Sequence, residues 1–556
     1  MAACGANLAK LSSTKDDLNI STSPLNFIGK FNTLPLSVIE KIIKYASVEN
    51  LVSFLVPENK AILANLPLLK QAIDNAISNS KALGYNNRVT RPTYLHHYLY
   101  PQAFFEYDEN NRWTLGDPSY KWEHLDADEK RISYQFVDSV DDFVTLQRYC
   151  QEQNISVTLY HIELEFDVMN LSGDTESFEL SEYTNPIKDH RATSIVGMEL
   201  RGITGEAEFN YEDFPNIRYS SFKFSSLLDT LNFLNLEKSK LEYLEIISEE
   251  CRTSTDIDLG QLPPTLKHFQ TTESDLSGEE VGNGNEPQLD HLILYNEQVE
   301  ILESFSKFFK DGLKTLGLGR DAKSLLSNFE TLATVTSLDL DSLSDSLDLS
   351  KFPNLEKLTI GSIDDASQLE SMDFPQSLKE FHLDYISNEN NRSIVSFFSK
   401  LPLGLQKLTV RGRKLIWFPE MLDFSQFQKL KYLSIRGESE NSNEVHFPDS
   451  IEYLNFSIAS LKSTDGVQFP LSLQFLIMNC GLEAICKPKV PSTLKYLHLP
   501  GNSLREVDLL VNDKNEPLQL EVLDLANNNL QEENVKVPST LKIFNYSFSR
   551  KKRRTE

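Results

Sequence analysis

The chain reads as an α/β solenoid: a stack of short repeats whose strands pair in parallel along one concave sheet, preceded by a small helical unit. Three observations lead there. An apolar pattern, Leu-x-x-Leu/Phe-x-apolar, recurs fourteen times between residues 241 and 546. The first apolar residue of each copy lies 20 to 27 residues from the next. An apolar residue followed by proline stands just ahead of many copies.

The clearest copies begin at Leu241, Leu313, Leu355, Leu405, Leu494 and Leu520. Within each, two apolar residues separated by one other project to the same face of a short strand, and the intervening residue projects to the opposite face. A single copy buries too little to offset the entropy of ordering it, so burial has to come from stacking. Pattern and period together resemble leucine-rich repeat proteins. The resemblance implies a horseshoe with a parallel concave sheet, and binding as the default function.

The apolar-proline signature occurs at Leu262-Pro263, Phe352-Pro353, Phe374-Pro375, Leu401-Pro402, Phe447-Pro448, Phe469-Pro470, Val490-Pro491 and Val537-Pro538. Proline fixes φ and biases the residue before it to an extended conformation. An irregular or polyproline-like convex return is therefore expected in place of a long helix. Strand patterns starting at Leu159, Ile195 and Tyr219 read as degenerate early repeats. The solenoid is expected over 151–546.

Composition limits the partners. The 556-residue chain carries a net charge of −27, and without residues 550–556 the balance falls to −31. Duplex nucleic acid and anionic membranes are not expected partners. The five cysteines form no CxxC pair, which points to a reducing compartment. Residues 1–30 are polar and read as a flexible arm. Neither a secretory signal nor a membrane-spanning run is expected, and the reading is of an intracellular protein, cytoplasmic or nuclear. The tail 547–556 contains Arg550-Lys551-Lys552-Arg553-Arg554, which resembles a short nuclear-import signal.

From residue 31 to 80 the pattern turns helical. Leu34-Pro35 precedes Val38, Ile39, Ile42, Ile43 and Ala46, which share one helical face, and a second cluster begins at Leu51. Pro57 and Pro67 then punctuate two further candidate helices. The run LPLSVIEKIIKYASVENLVSFL resembles the first half of an F-box. That family docks on the Skp-like adaptor of a cullin ubiquitin ligase while its repeats hold a protein substrate. By this resemblance Leu34, Pro35, Ile39, Ile42, Ile43 and Leu51 are the docking residues. The run departs from the family afterwards, with Val56-Pro57-Glu58-Asn59 where a basic, Trp-containing stretch is usual. The alternative reading is a helical cap over the first edge of the solenoid. Residues 81–150, rich in aromatic and acidic side chains, read as a linker or N-terminal cap.

Candidate binding residues lie at variable strand positions. The third position of four consecutive copies is aromatic: Tyr432, Tyr453, Phe475 and Tyr496. Parallel neighbours are about 4.8 Å apart, so these rings are expected to stack. Arg411 and Arg436 stand at seventh positions and His498 at a fifth. Aromatic residues beside arginine have the composition of a protein-binding hot spot; the alternative is a ladder that only supports the sheet. No P-loop, dinucleotide fingerprint, metalloprotease or nucleophile-elbow motif is present. No catalytic residue, metal or cofactor is expected.

Overall fold

The structure, a computed structural model, describes residues 34–39 and 63–79, short strands at Ala82–Leu83, Phe105–Tyr107 and Trp113–Leu115, and most of 133–548 with interruptions between elements. The chain forms two compact units, one up to Leu289 together with 304–309, the other made of the remaining residues from Asp290. This division falls inside the span read as a single repeat array.

In the first unit a helix, α1 (Pro67–Asn79), opens on a proline, whose missing N–H is not needed at that position. Leu69, Ala72 and Ile73 are buried, at helical spacing. Asp74 accepts hydrogen bonds from Lys70 at 2.7 Å and from the Tyr149 hydroxyl at 2.8 Å, tying the helix to chain 75 residues away. Six strands then pair in parallel in chain order: β1 (Ser133–Val137), β2 (Tyr160–Glu165), β3 (Ile195–Ile203), β4 (Tyr219–Phe224), β5 (Tyr243–Ser248) and β6 (His268–Thr272). Register corrects one reading: Gly197, Tyr219 and Tyr243 are paired, so Ile217 holds the first repeat position and Tyr219 the third.

The second unit repeats the arrangement with β7 (His291–Tyr295), β8 (Thr315–Leu318), β9 (Ser337–Leu343), β10 (Lys357–Ile363), β11 (Glu380–Ile386), β12 (Lys407–Val410), β13 (Tyr432–Ser439), β14 (Tyr453–Ile458), β15 (Phe475–Ile477), β16 (Tyr496–His498), β17 (Val522–Leu530) and β18 (Ile543–Phe548). Each pairs in parallel with the next. First, fourth and sixth positions form the core. Leu355, Leu358 and Ile360 are fully buried, as are their counterparts Leu405, Leu408 and Val410.

The proline signature has a structural cause. At Pro263, Pro375, Pro402 and Pro491 the proline carbonyl accepts from the amide of the first strand leucine, three residues on; at Phe352-Pro353 the Phe352 carbonyl takes that role for Leu355. The serine or threonine between the proline and the first strand residue donates to the carbonyl of the preceding repeat's first residue: Ser377 to Leu355 at 2.7 Å, Ser450 to Leu430 at 2.8 Å, Thr540 to Leu520 at 2.7 Å. Proline thus shapes the entry turn, and the hydroxyl clamps one repeat to the last.

The return half contains no long helix among the described residues, and part of it is regular. In the second unit it contains parallel sheets, Met421–Asp423 with Glu444–His446 and Val467–Gln468, and Ala484–Cys486 with Glu506–Asp508 and Val535–Lys536. Val445, Val467, Ile485 and Val507 point into the core from these strands. Elsewhere an Asp or Asn side chain accepts the amide two residues on and starts a 3-10 turn, at Asn210, Asp258 and Asp348. The α/β expectation is corrected accordingly: among the described residues this is a leucine-rich-repeat-like β-solenoid with few helices. Repeats this short leave no room for a multi-turn helix between a return strand and the proline turn.

Candidate partner-binding face

Third, fifth and seventh positions project from the inner face of the second unit, opposite to the core leucines. Register places Tyr432, Tyr453, Phe475 and Tyr496 on one line. Tyr432 and Tyr453 stack with centroids 4.3 Å apart at 3°, and Phe475 and Tyr496 at 4.2 Å and 5°. Between the pairs the spacing opens to 6.1 Å with a 31° tilt. Lys407 places Nζ 5.2 Å from the Tyr432 centroid, closing the line with a cation.

These rings do not lie open on the concave surface. Tyr432 and Phe475 are 5 % exposed, Tyr453 is 1 % and His498 0 %. Stacking turns the ring faces toward one another, and only Tyr496 remains half-buried. Burial pushes the Tyr432 and Tyr453 hydroxyls above their ordinary pKa and pushes the His498 imidazole down to about 3, so it is neutral. Asp524, in register with His498, is pushed up by burial against the hydrogen bonds it accepts from Ala526 and Asn545.

An amide ladder shapes this region. Asn502 donates to the carbonyls of Met478 and Leu499 at 2.9 and 3.0 Å and accepts from the amides of Cys480, Gly481 and Leu482 at 2.9, 3.0 and 3.1 Å. Asn528 repeats the role one rung later, and the Cys480 thiol donates to the Phe456 carbonyl one rung earlier. The turns beside the rungs use Gly481 and Gly501 at positive φ. Sequence reasoning missed this ladder, although an asparagine eight residues after Leu494 and again after Leu520 was there to be read.

From β7 to β12 the same positions are polar and more open. Tyr295 donates its hydroxyl to Asp339 two strands away; β8 between them carries glycine at both intervening positions, Gly317 and Gly319. A Cβ on Gly317 would come within 2.7 Å of the Ile293 side chain. Burial raises both the Tyr295 hydroxyl and the Asp339 carboxyl, the latter against the Tyr295 hydrogen bond. His382 Nε2 lies 2.9 Å from Asp384, and this contact holds the Asp384 carboxyl below the usual carboxylate range. Arg411 is half-buried and donates to Tyr432; Arg436 is exposed.

A second aromatic line runs through the first unit, where Tyr219 and Tyr243 stack at 4.3 Å and Tyr243 and His268 at 4.0 Å. Beside it Ser221 donates to Glu245 at 2.7 Å, both buried. Setting the register on Ile217 makes this line readable in the sequence.

Of the residues assigned to adaptor docking, Leu34 is half-buried, Pro35 is exposed, and Ile39 is fully buried at the end of a short helical segment held by the Pro35 carbonyl. Ile42, Ile43 and Leu51 lie outside the described residues, as does the basic tail. Among the described residues there is no group of three His, Cys, Asp or Glu arranged to hold a metal, and no helix long and apolar enough to cross a membrane.

No family model matches the chain, and no curated protein does. Among solved structures it is similar to the functional domain of InlJ from Listeria monocytogenes, described as including a cysteine ladder, at 15 % identity and a TM-score of 0.27 over 58 % of this chain. The match spans 65 % of the length of that structure.

Proposed function

We propose that the chain is a protein-binding scaffold whose second unit receives a partner on the inner face of β7 to β13. The observation that carries this is the set of exposed charged side chains there, Lys357 at a third position and Asp384 and Arg436 at seventh positions of parallel strands. A sheet of fixed strand spacing presents them with little entropy left to lose on binding. Affinity capture with the full chain and with a Lys357→Glu/Asp384→Lys variant tests this. Loss of the captured proteins on charge reversal is expected; an unchanged set moves the binding surface elsewhere.

The finer reading is a substrate receptor of a cullin ubiquitin ligase, docking a Skp-like adaptor through its N-terminal helices and holding a protein substrate on the inner face. The F-box-like run, with Pro35 exposed and Leu34 half-buried, supports it. Complete burial of Ile39 favours the other reading, in which these helices only cap the repeats. Pull-down of a purified Skp-like adaptor by the full chain, and its loss on Leu34→Glu, is the outcome expected of a receptor; no pull-down leaves the scaffold.

A further inference from the structure

The geometry points to Arg411 and Arg436 as a paired anion site for an acidic side chain, Asp or Glu, on an extended segment of the protein partner; this rests on the inner-face reading above. Both residues occupy seventh positions on adjacent strands, since Val410 and Ile435 beside them are paired. Parallel neighbours stand about 4.8 Å apart, so the two arginine side chains leave the sheet from adjacent positions.

Along the seventh position from β9 the sequence of side chains is Asp341, none at Gly361, Asp384, Arg411, Arg436, Ser457. One carboxylate, Asp384, borders the arginine pair, and it is shared with His382 at 2.9 Å. The other side is uncharged: Ser457 pairs in register with Arg436 and donates its hydroxyl to Asn455. Arg436 is exposed and makes no ion pair among the described residues. Arg411 is held by its hydrogen bond to Tyr432. Two adjacent cations thus face one shared carboxylate, an arrangement completed by a second carboxylate bridging both planar forks.

The surroundings say how that carboxylate arrives. On β13 the third and fifth positions are the buried Tyr432 and Ser434, so the floor beside the pair is filled. A small ligand needs to be largely enclosed, whereas a side chain reaching down from a segment lying across the strands does not. The chain as a whole carries −27, so its long-range field repels anions and selection has to come from the local pair.

Fluorescence anisotropy of the full chain with three labelled Gly/Ser-framed peptides tests the assignment, the centre being two glutamates, two glutamines or two phosphoserines. The glutamate peptide is expected to bind about tenfold more tightly than the glutamine peptide. Arg436→Gln should abolish the difference without moving the unfolding midpoint, and Arg411→Lys, which keeps the charge and loses the fork, should reduce it. Equal binding of the two peptides, binding by neither, or an Arg436→Gln variant that still discriminates overturns the pair. A phosphoserine peptide bound more than tenfold above the glutamate one replaces carboxylate by phosphoryl. Capture that is lost in Lys357→Glu/Asp384→Lys while the pair fails here overturns the pair and leaves the inner-face reading standing; capture unchanged by charge reversal removes that reading itself.

Discussion

Within the second unit, β9 to β11 and β15 to β17 share the same buried first, fourth and sixth positions yet present opposite inner faces. In the first group the third, fifth and seventh positions carry Lys357 and Asp384, both exposed, and the part-exposed His382. In the second they carry Phe475, Tyr496 and His498, packed against one another. The ninth position separates the groups as well. It is aliphatic at Leu343, Ile363 and Ile386, where the strand runs on in register, and asparagine at Asn502, where the chain turns, and at Asn528, where the pairing of β17 with β18 shifts register. The leucine frame fixes the fold, and the positions between and after the leucines decide what each stretch can do.

The sharpest way to break this contrast is to exchange the ninth positions. Asn502→Leu gives the aromatic stretch the residue type of the polar one, and leaves three amides without their shared acceptor. Each buried group so stranded costs about 1–3 kcal/mol, so a loss above about 3 kcal/mol is expected in urea unfolding. Ile363→Asn should fail for the mirror reason, a buried amide on a strand whose backbone already pairs. Tolerance of either exchange would show that the ninth position does not separate the two stretches.

Acid should separate them next. His498 titrates at about 3 in the folded chain and near its ordinary 6.5 unfolded. The unfolded state therefore binds more protons between those values: the contribution is complete above about pH 6.5 and is lost as pH falls toward about 3, at up to about 1.4 kcal/mol per pH unit. Asp524 beside it works in the opposite sense, its carboxyl raised by burial, over the interval that starts at its unfolded value of about 4 and runs upward. In the polar stretch Asp384 is depressed, so its stabilisation persists until the pH falls below about 4. Unfolding free energies at pH 7 and 5 should thus differ by about 2 kcal/mol for the natural chain and lose that difference in His498→Leu. An unchanged difference would assign the acid sensitivity to another group.

Much of the frame was legible because leucine alternation is a direct image of a strand with one face in the core. The ring line from Tyr432 to Tyr496 was legible for the same reason, since register follows from the leucines. Burial of that line was not, because the pattern says which face a ring is on and not what surrounds it. The first-unit line escaped because Ser220 sits where a fourth-position leucine belongs, which moved the apparent start of that copy from Ile217 to Tyr219. The return strands escaped because Asx turns and proline turns, not apolar periodicity, set their course.

The smallest effect lies at the second position, where charged residues of neighbouring repeats meet at the strand entries of the polar stretch and, at β13 and β14, at the start of the aromatic line. Lys379 and Glu356 lie 2.6 Å apart with side chains 46 % and 48 % exposed. Lys431 and Glu452 lie 2.5 Å apart, and Glu452 is only 16 % exposed, beside the aromatic line. Water screens the first pair, so Glu356→Gln should change stability by less than about 0.5 kcal/mol. Glu452 has given up more of its hydration for its partner, and Glu452→Gln leaves the Lys431 ammonium half-buried without its counter-charge, so about 1–2 kcal/mol is expected. The two substitutions are chemically identical, so their difference in denaturant midpoint reads the change in surroundings alone. Equal midpoints would mean that the closure of the inner face stops short of the strand entries, and that the two stretches differ only at the third, fifth, seventh and ninth positions.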